Sequence, residues 1–454
     1  MQWLCGLLGG VLVLTAVSCR HVAARNDFDV TTDDHGSGLN PDGIYPYGRK
    51  LAFMGCSGNP ARDLTNGFTV AGPVYGNQTP YLEACFQNGW PVIAQIGPHI
   101  KFDDKSPNKY KLDEPSLRLE IERQVRELAG HKEIVWWSIR SEELRPWRKE
   151  EMQYLRILCD TIRQNDPLAR PIFLYNPNNR DAHSLLPIVK YVDIVGKGCY
   201  VNYSGHKRER AWVRWTVEQE VEAIRMAGRT NAIPILMPQL SRDPDPSEDN
   251  EIRNWVRHDI YLGMSSGAKG VFIYSLFKRA KVRRTWQLWY DAYNECAREL
   301  NGDRGLAQVF LFGERRASLK VELIQGTAEI NVHLGGSTEA TTTSDQERAQ
   351  RIVALPAWTS TEFVYGDSHW LFIINSANSP AALTVIGWPP NARAANAFDG
   401  TAINLINKQL LQISLSAYGV AAVRFTPRLA LEKSVVRNSS AVKNNTKGGQ
   451  HEQW

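Results

Sequence analysis

Between residues 51 and 276 the chain carries eight short runs that are apolar on consecutive positions, and nothing else in it restricts the fold as strongly. They are LAFMGC (51–56), GFTVAG (67–72), PVIAQIG (91–97), EIVWWSI (133–139), PIFLY (171–175), VDIVGKGCY (192–200), IPILMPQL (233–240) and KGVFIYSL (269–276). A strand with one wet face alternates apolar and polar residues; a strand covered on both faces, as in a parallel sheet, does not. Helical patterns fill most of the intervals. EPSLRLEIERQVRELAGH sets Ile121, Val125 and Leu128 on one face, and RKEEMQYLRILCDTIRQNDP opens acidic and stops at Pro167. Two further stretches end at Gly228 and Gly267, as helix C-termini often do, and TWQLWYDAYNECAREL follows the eighth run. Strand–helix alternation of this kind predicts an α/β fold, a (β/α)8 TIM barrel over residues 41–303. Its first unit should be irregular, because no convincing helix separates the first two runs.

After Gly302 the rhythm changes. QVFLF, LKVELI, AEINVHL, HWLFIINSA, ALTVIGW, LLQISLS and VAAVRF read as short strands parted by Gly, Asn, Pro and Ser, which predicts a C-terminal all-β sandwich domain over 304–427. GGSTEATTTSDQERAQ (335–350) is expected to be a loop within it, and the polar tail 428–454 to be disordered.

The N-terminus reads as an export signal. Leu4 to Val17 form an apolar run too short to span a bilayer comfortably and suited to a signal peptide occupying 1–19, followed by a linker over 20–40. Ala16-Val17-Ser18-Cys19 has the form of a bacterial lipobox, which would leave a lipid anchor on Cys19; cleavage after Ala24 is the alternative. Either outcome puts the mature chain outside the cytoplasm, as an extracellular, periplasmic or lipid-anchored protein without a transmembrane span. The remaining cysteines, Cys56, Cys85, Cys159, Cys199 and Cys296, are odd in number and scattered, so they form no disulfide framework or metal set and are expected as small buried hydrophobes. The sequons at Asn77, Asn202, Asn438 and Asn444 matter only in a eukaryotic secretory pathway. A net charge of +5, spread along the chain, does not point to nucleic acid.

Active sites of such barrels lie where the strands end, so those ends supply the candidates. They offer Asn59, Arg62 and Asp63; Tyr75; His99, Asp103 and Asp104; Glu142, Glu143 and Arg145; Tyr175, Asn176 and Arg180; Lys197, Tyr200, Tyr203 and His206; Gln239, Arg242, Asp243 and Asp245; and Tyr274, Phe277 and Arg279. Hydroxyls, amides, carboxylates and aromatic faces in one crown suit a carbohydrate ligand. No phosphate loop, nucleotide fingerprint or Cys/His cluster competes, and no cofactor is implied. Tyr75, His99, Glu143, Tyr175, Asn176, Lys197, Tyr200, Tyr203, Gln239 and Tyr274 are the candidate substrate-binding residues.

The segment Trp137-Ser138-Ile139-Arg140-Ser141-Glu142 resembles the strand-four motif W-x-x-x-N-E of the large clan of retaining (β/α)8 glycoside hydrolases that includes xylanases and bacterial β-galactosidases. The resemblance implies that Glu142 is the general acid/base, with Ser141 where the clan has the asparagine that binds the sugar 2-hydroxyl. It also implies a glutamate nucleophile at the end of strand seven, where this chain reads MPQLSRDPDP and Gln239 stands instead. Asp243 is the expected second carboxylate, with Asp245, Asp63 and Asp104 as other sources. A retaining mechanism places the two carboxylates about 5–5.5 Å apart and an inverting one about 6.5–9.5 Å. The expected function is therefore an exported glycoside hydrolase acting on a poly- or oligosaccharide, the alternative being a non-catalytic cell-surface carbohydrate-binding protein on the same barrel. Three plainer readings stand beside these. Glu142 and Glu143 would form the first turn of the next helix, with Glu143 paired to Arg145 or Arg148. In the basic run GHKRERAWVRW (205–215), Arg210, Trp212 and Arg214 would recognise an acidic sugar or bridge to the barrel wall. The acidic DPDPSED run (243–249) would be a solvated helix start rather than a Ca²⁺ site.

Overall fold

The structure, a computed structural model, describes residues 50–427 except 75, 99–111, 141–143, 203–204, 241, 335–351, 389–390 and 404–409. Seven parallel strands, β1 (Ala52–Gly55), β2 (Val92–Ile96), β3 (Ile134–Ile139), β4 (Ile172–Asn176), β5 (Ile194–Cys199), β6 (Ile233–Pro238) and β7 (Gly270–Ile273), form one sheet in the order β1-β7-β6-β5-β4-β3-β2. Because β1 pairs with β7, the sheet curls until only the gap between β1 and β2 remains.

The second apolar run fills that gap, though not as a regular strand. The Thr69 and Val70 amides donate to the Phe53 carbonyl on one side; on the other, the Ala71 amide donates to Pro91 and its carbonyl accepts from Ile93. The Thr69 hydroxyl supplies two further rungs, accepting from the Phe53 amide and donating to the Leu51 carbonyl. Where this stave ends, the Gln78 carboxamide bonds both the amide and the carbonyl of Gln95, as a neighbouring peptide would. The barrel thus closes with eight staves, one of them carried partly by side chains. A short helix, α1 (Pro60–Thr65), capped by Asn59, sits in the first unit, where no convincing helix was expected. The others are α2 (Thr79–Asn88), α3 (Glu114–Leu128), α4 (Lys149–Asn165), α5 (Ala182–Val189), α6 (Trp212–Met226), α7 (Ile252–Ser266) and α8 (Trp286–Leu300).

Residue parity sorts each strand. Phe173 of β4 meets Phe272 of β7 at 5.4 Å between ring centres, and these strands are not neighbours, so both rings lie in the lumen. The strand registers then place Ala52, Met54, Trp136, Ser138, Tyr175, Ile194, Gly196, Gly198, Ile235 and Met237 on that inner side, and Val195, Lys197 and Leu236 toward the helices. Gly196 is required there: a Cβ would lie 2.8 Å from both Ile235 and Met237 and 3.1 Å from Phe173.

The C-terminal part differs from expectation at its start. QVFLF is not a strand but most of a helix, α9 (Leu306–Phe312), which buries Leu306, Val309 and Phe310 in one core with α7 and α8. The i, i+3, i+4 spacing of those three residues matches a helix, and Leu306 lies just outside the apolar run that suggests a strand. Antiparallel strands follow: β8 (Glu314–Arg316), β9 (Lys320–Gln325), β10 (Glu329–His333), β11 (Ile352–Pro356), β12 (Trp358–Tyr365), β13 (Ser368–Asn375), β14 (Ala381–Ile386), β15 (Arg393–Asn396), β16 (Leu410–Leu415) and β17 (Val420–Thr426). Five of them form the sheet β15-β17-β13-β12-β8 and three the sheet β16-β14-β9, while β10 and β11 pair separately. Leu371 and Ile373 of β13 pack on Leu383, Val385 and Leu411 of the three-stranded sheet. Trp370, Phe372 and Ile374, on the opposite face of β13, join the core shared with α7, α8 and α9. The five-stranded sheet is thus covered on both sides, which explains the unbroken apolar run HWLFII.

A polar cluster lies buried in this seam. The Ser376 hydroxyl is 2.9 Å from His258 Nε2, and His258 Nδ1 is 2.8 Å from Asp259 Oδ1. Asp259 in turn takes two bonds from Arg210, which also donates to Asn202. Nearby, Glu209 accepts from the amide and ring of His333 and from His206, tying the β5–α6 loop to β10.

Candidate functional site

The strand ends gather an aromatic cluster. Tyr175, Tyr200 and Tyr274 stack on one another with ring centres 5.5–6.4 Å apart, and each remains half-buried. Lumen parity explains the convergence of Tyr175 and Tyr274, and the second lumen glycine of β5 makes room for Tyr200. A Cβ on Gly198 would come within 2.9 Å of the Tyr200 ring and 3.1 Å of the Tyr175 hydroxyl. The Arg279 guanidinium lies over Tyr274, 5.0 Å from its ring centre. Gln239 is buried beside Tyr274, bridged to it in parallel register, with its carbonyl accepting from the Tyr293 hydroxyl. Deeper in the lumen, Gln95 and Ser138 form a polar layer on paired positions of β2 and β3. The alternating G-x-G of β5 was the sequence signal for this room, which a search for reactive side chains passes over.

Two of the expected ligand-binding residues face the other way. Lys197 is completely buried between β5 and α6: its ammonium donates to the Arg180 carbonyl and lies 3.7 Å from the centre of the Trp215 ring. Burial pushes its pKa down to about 7, although Glu220 of α6 opposes the shift. Glu220 accepts the Lys197 amide through one oxygen, and burial raises its pKa well above the usual carboxylate range. Asn176 is likewise sealed on the outer face, its amide donating to the Leu174 and Gly196 carbonyls and its oxygen accepting from Arg180. Both residues are corrected from ligand contacts to parts of the wall, because their parity sets them among the helices.

Asp243 is committed elsewhere too. Its carboxylate accepts from the Thr285 amide, the Thr285 hydroxyl and the Arg284 amide, fastening the loop after β6 to the start of α8. Burial works against its charge, but these donors and the Arg284 charge outweigh it and hold the carboxyl below the usual range. Asp63 is buried between Arg62 and Tyr290; burial raises its pKa against the pull of those partners. Asp245 precedes a 3-10 turn, Pro246–Glu251, without a side-chain bond to it, while Glu248 pairs with Lys207 and Asp249 with Arg284. Among the described residues no cluster of His, Cys, Asp and Glu is arranged to hold a metal, and no helix is long and apolar enough to cross a membrane. The five cysteines, Cys56, Cys85, Cys159, Cys199 and Cys296, are all buried and unbridged.

Around WWSIRSEELRPW the three tryptophans separate. Trp136 faces the lumen, Trp137 points outward and donates to Asp166 at 2.8 Å, and Trp147 is exposed beside Arg180. α4 begins at Lys149, and the acidic residues of its first turn are Glu150 and Glu151. Arg145 grips Glu151 with its amide and its guanidinium. Glu142, Glu143, Tyr75, His99, Tyr203 and Asp104 lie outside the described residues, as do Cys19 and the rest of the export signal. In the basic run, Arg210 and Trp212 are buried scaffold, Arg210 bridging to α7 through Asp259 and Trp212 stacking on His206 and Trp215.

No protein-family model matches the sequence, and a comparison with curated proteins yields no match. Solved structures do match. An α-amylase from Anoxybacillus superposes with a TM-score of 0.51 at 8% identity, over 84% of this chain and 98% of that one. The chain has the fold of a (β/α)8 glycoside hydrolase. Its likeness to an α-amylase from Geobacillus thermoleovorans has a TM-score of 0.48 at 8% identity, covering 84% and 99% of the two chains. An endoxylanase from Clostridium papyrosolvens gives 0.44 at 11% identity, covering 83% and 96%. Neither of these two adds weight. At such identities the likeness is one of fold alone.

Proposed function

We propose that the protein is an exported glycosidase that binds a poly- or oligosaccharide at the strand ends of its barrel. The three stacked, half-exposed tyrosines carry this reading: they offer flat apolar faces edged by hydroxyls, with Arg279 alongside, which is the surface a sugar ring requires. Glu142 is the proposed general acid. The spacing Trp137-Ser138-Ile139-Arg140-Ser141-Glu142 carries that role, and apolar neighbours would help it keep its proton near neutrality. With Asp243 bound to α8, Asp104, which falls between β2 and α3 in sequence, is the second carboxylate to test. The export signal and a lipid anchor on Cys19 belong to the same proposal.

A second reading, a carbohydrate-binding protein without turnover, has one observation in its favour. None of the seven barrel strands contains Asp or Glu, and an amide, Gln239, follows β6. A panel of aryl glycosides and polysaccharides, with Glu142→Gln and Asp104→Asn as controls, separates the two. Turnover abolished by Glu142→Gln supports the glycosidase. Saccharide binding without turnover, unchanged by either substitution, supports the second reading and ends the first.

A further inference from the structure

A cavity of about 560 Å³ opens on the flank of the molecule between the barrel and the β domain. Its wall takes Arg214 and Glu218 from α6, Ser265 from the end of α7, Arg315 from β8, and Trp358 and Thr359 from β12. None of these residues belongs to the strand ends, so the cavity is separate from the tyrosine cluster.

Its chemistry is unbalanced. Arg214 is paired with Glu218 at 2.6 Å, whereas Arg315 has no carboxylate partner among the described residues and bonds only the Ser265 carbonyl. A guanidinium carries five N–H donors in a fixed fork suited to a carboxylate, and most of those on Arg315 are uncommitted. Two hydroxyls of the wall, Ser265 Oγ and Thr359 Oγ1, are buried without a hydrogen-bond partner. Such groups are costly to leave unmade and mark a place where something polar belongs. Trp358, half-buried, adds an indole at the rim.

We propose that this seam cavity binds a carboxylate-bearing saccharide, a uronate unit, with Arg315 taking the carboxylate, the Arg214–Glu218 pair bounding the site and Trp358 lying against the sugar. The choice of a saccharide rests on the carbohydrate reading of the crown; the acid group follows from Arg315 alone. The basic run 205–215 reaches this cavity through Arg214 alone, whose guanidinium is engaged by Glu218.

Titration calorimetry of the full chain with trigalacturonate, and with its methyl ester as a neutral control, tests this. Binding of the acid, about tenfold weaker in Arg315→Gln and in Thr359→Val and undiminished in Tyr274→Ala, is the expected result. Unchanged thermal unfolding certifies the fold of each variant. The inference is overturned if the acid does not bind, if the ester binds as tightly, or if Arg315→Gln and Thr359→Val bind like the parent. If Tyr274→Ala alone abolishes binding, the ligand sits at the crown; the cavity inference then fails while the crown reading stands.

Discussion

Replacing Ser376 by alanine tests whether the barrel and the β domain are one cooperative unit. Ser376 and His258 are both fully buried, 2.9 Å apart across the seam. Burial holds His258 below the usual histidine pKa of 6.5, so the ring is neutral at pH 7. Its Nδ1 faces a carboxylate, which assigns the ring proton there and leaves Nε2 to accept the Ser376 hydroxyl. Alanine strands that acceptor in a fully buried site, a loss of about 1–3 kcal/mol. At about 2 °C per kcal/mol for a chain of this size, the melting temperature should fall by roughly 2–6 °C. Differential scanning calorimetry at pH 7 should show a single transition, lowered as a whole, because Phe372 and Ile374 pack in the same core as α7 and α9. Two transitions of which only one moves, or no shift at all, would refute the reasoning. The pH dependence has a definite sign. Between the lowered folded pKa and 6.5 the unfolded chain binds the proton that the native ring refuses, so stability rises with pH through that window and is lost on acidification.

Gly198→Ala drives a methyl into the Tyr200 ring, 2.9 Å away, and should weaken saccharide binding about tenfold while the fold persists; unaltered affinity would detach the tyrosine cluster from ligand binding. Asp243→Ala removes the anchor of α8 and should cost about 1 kcal/mol in urea unfolding with saccharide turnover intact, whereas loss of turnover in a stable variant would return Asp243 to the chemistry. In Glu220→Gln the contribution to examine begins at the usual glutamate pKa of 4.5: above it the unfolded carboxyl releases a proton that the buried one retains, so Glu220 lowers stability as pH rises. The variant should therefore gain on the parent from pH 4.5 upward in urea midpoints, and a pH-independent difference would contradict the buried, proton-holding state.

The barrel was legible because strands covered on both faces have no polar positions to disguise them, and seven of the eight runs form strands of the sheet. The eighth, around Thr69, was legible in place but not in form, since a hydroxyl and a carboxamide supply bonds that the sequence assigns to backbone. Site residues were harder to read. Proximity to a strand end does not say which way a side chain points, and Asn176 and Lys197 lie one step out of phase with Tyr175 and Gly198. The polar strand β12, WTSTEFVY, escaped notice because its apolar residues cluster at the ends while Thr359 and Thr361 face the barrel across the seam. Asp243 illustrates a further limit. An acidic residue just past a strand looks catalytic by position, yet the helix start that claims it lies 42 residues away in sequence.

The double coverage of the five-stranded sheet also dictates an order of events when the chain is made. The barrel sequence emerges first, but the helices α7, α8 and α9 then present an apolar wall whose cover, β12, β13 and β17, is still unsynthesised. That wall closes only when the strand ending at Thr426 has joined β13, so the nascent chain carries an adhesive flank until nearly its last described residue. A chain cut short before β17 should therefore leave this wall bare and self-associate, where the chain ending after Thr426 does not.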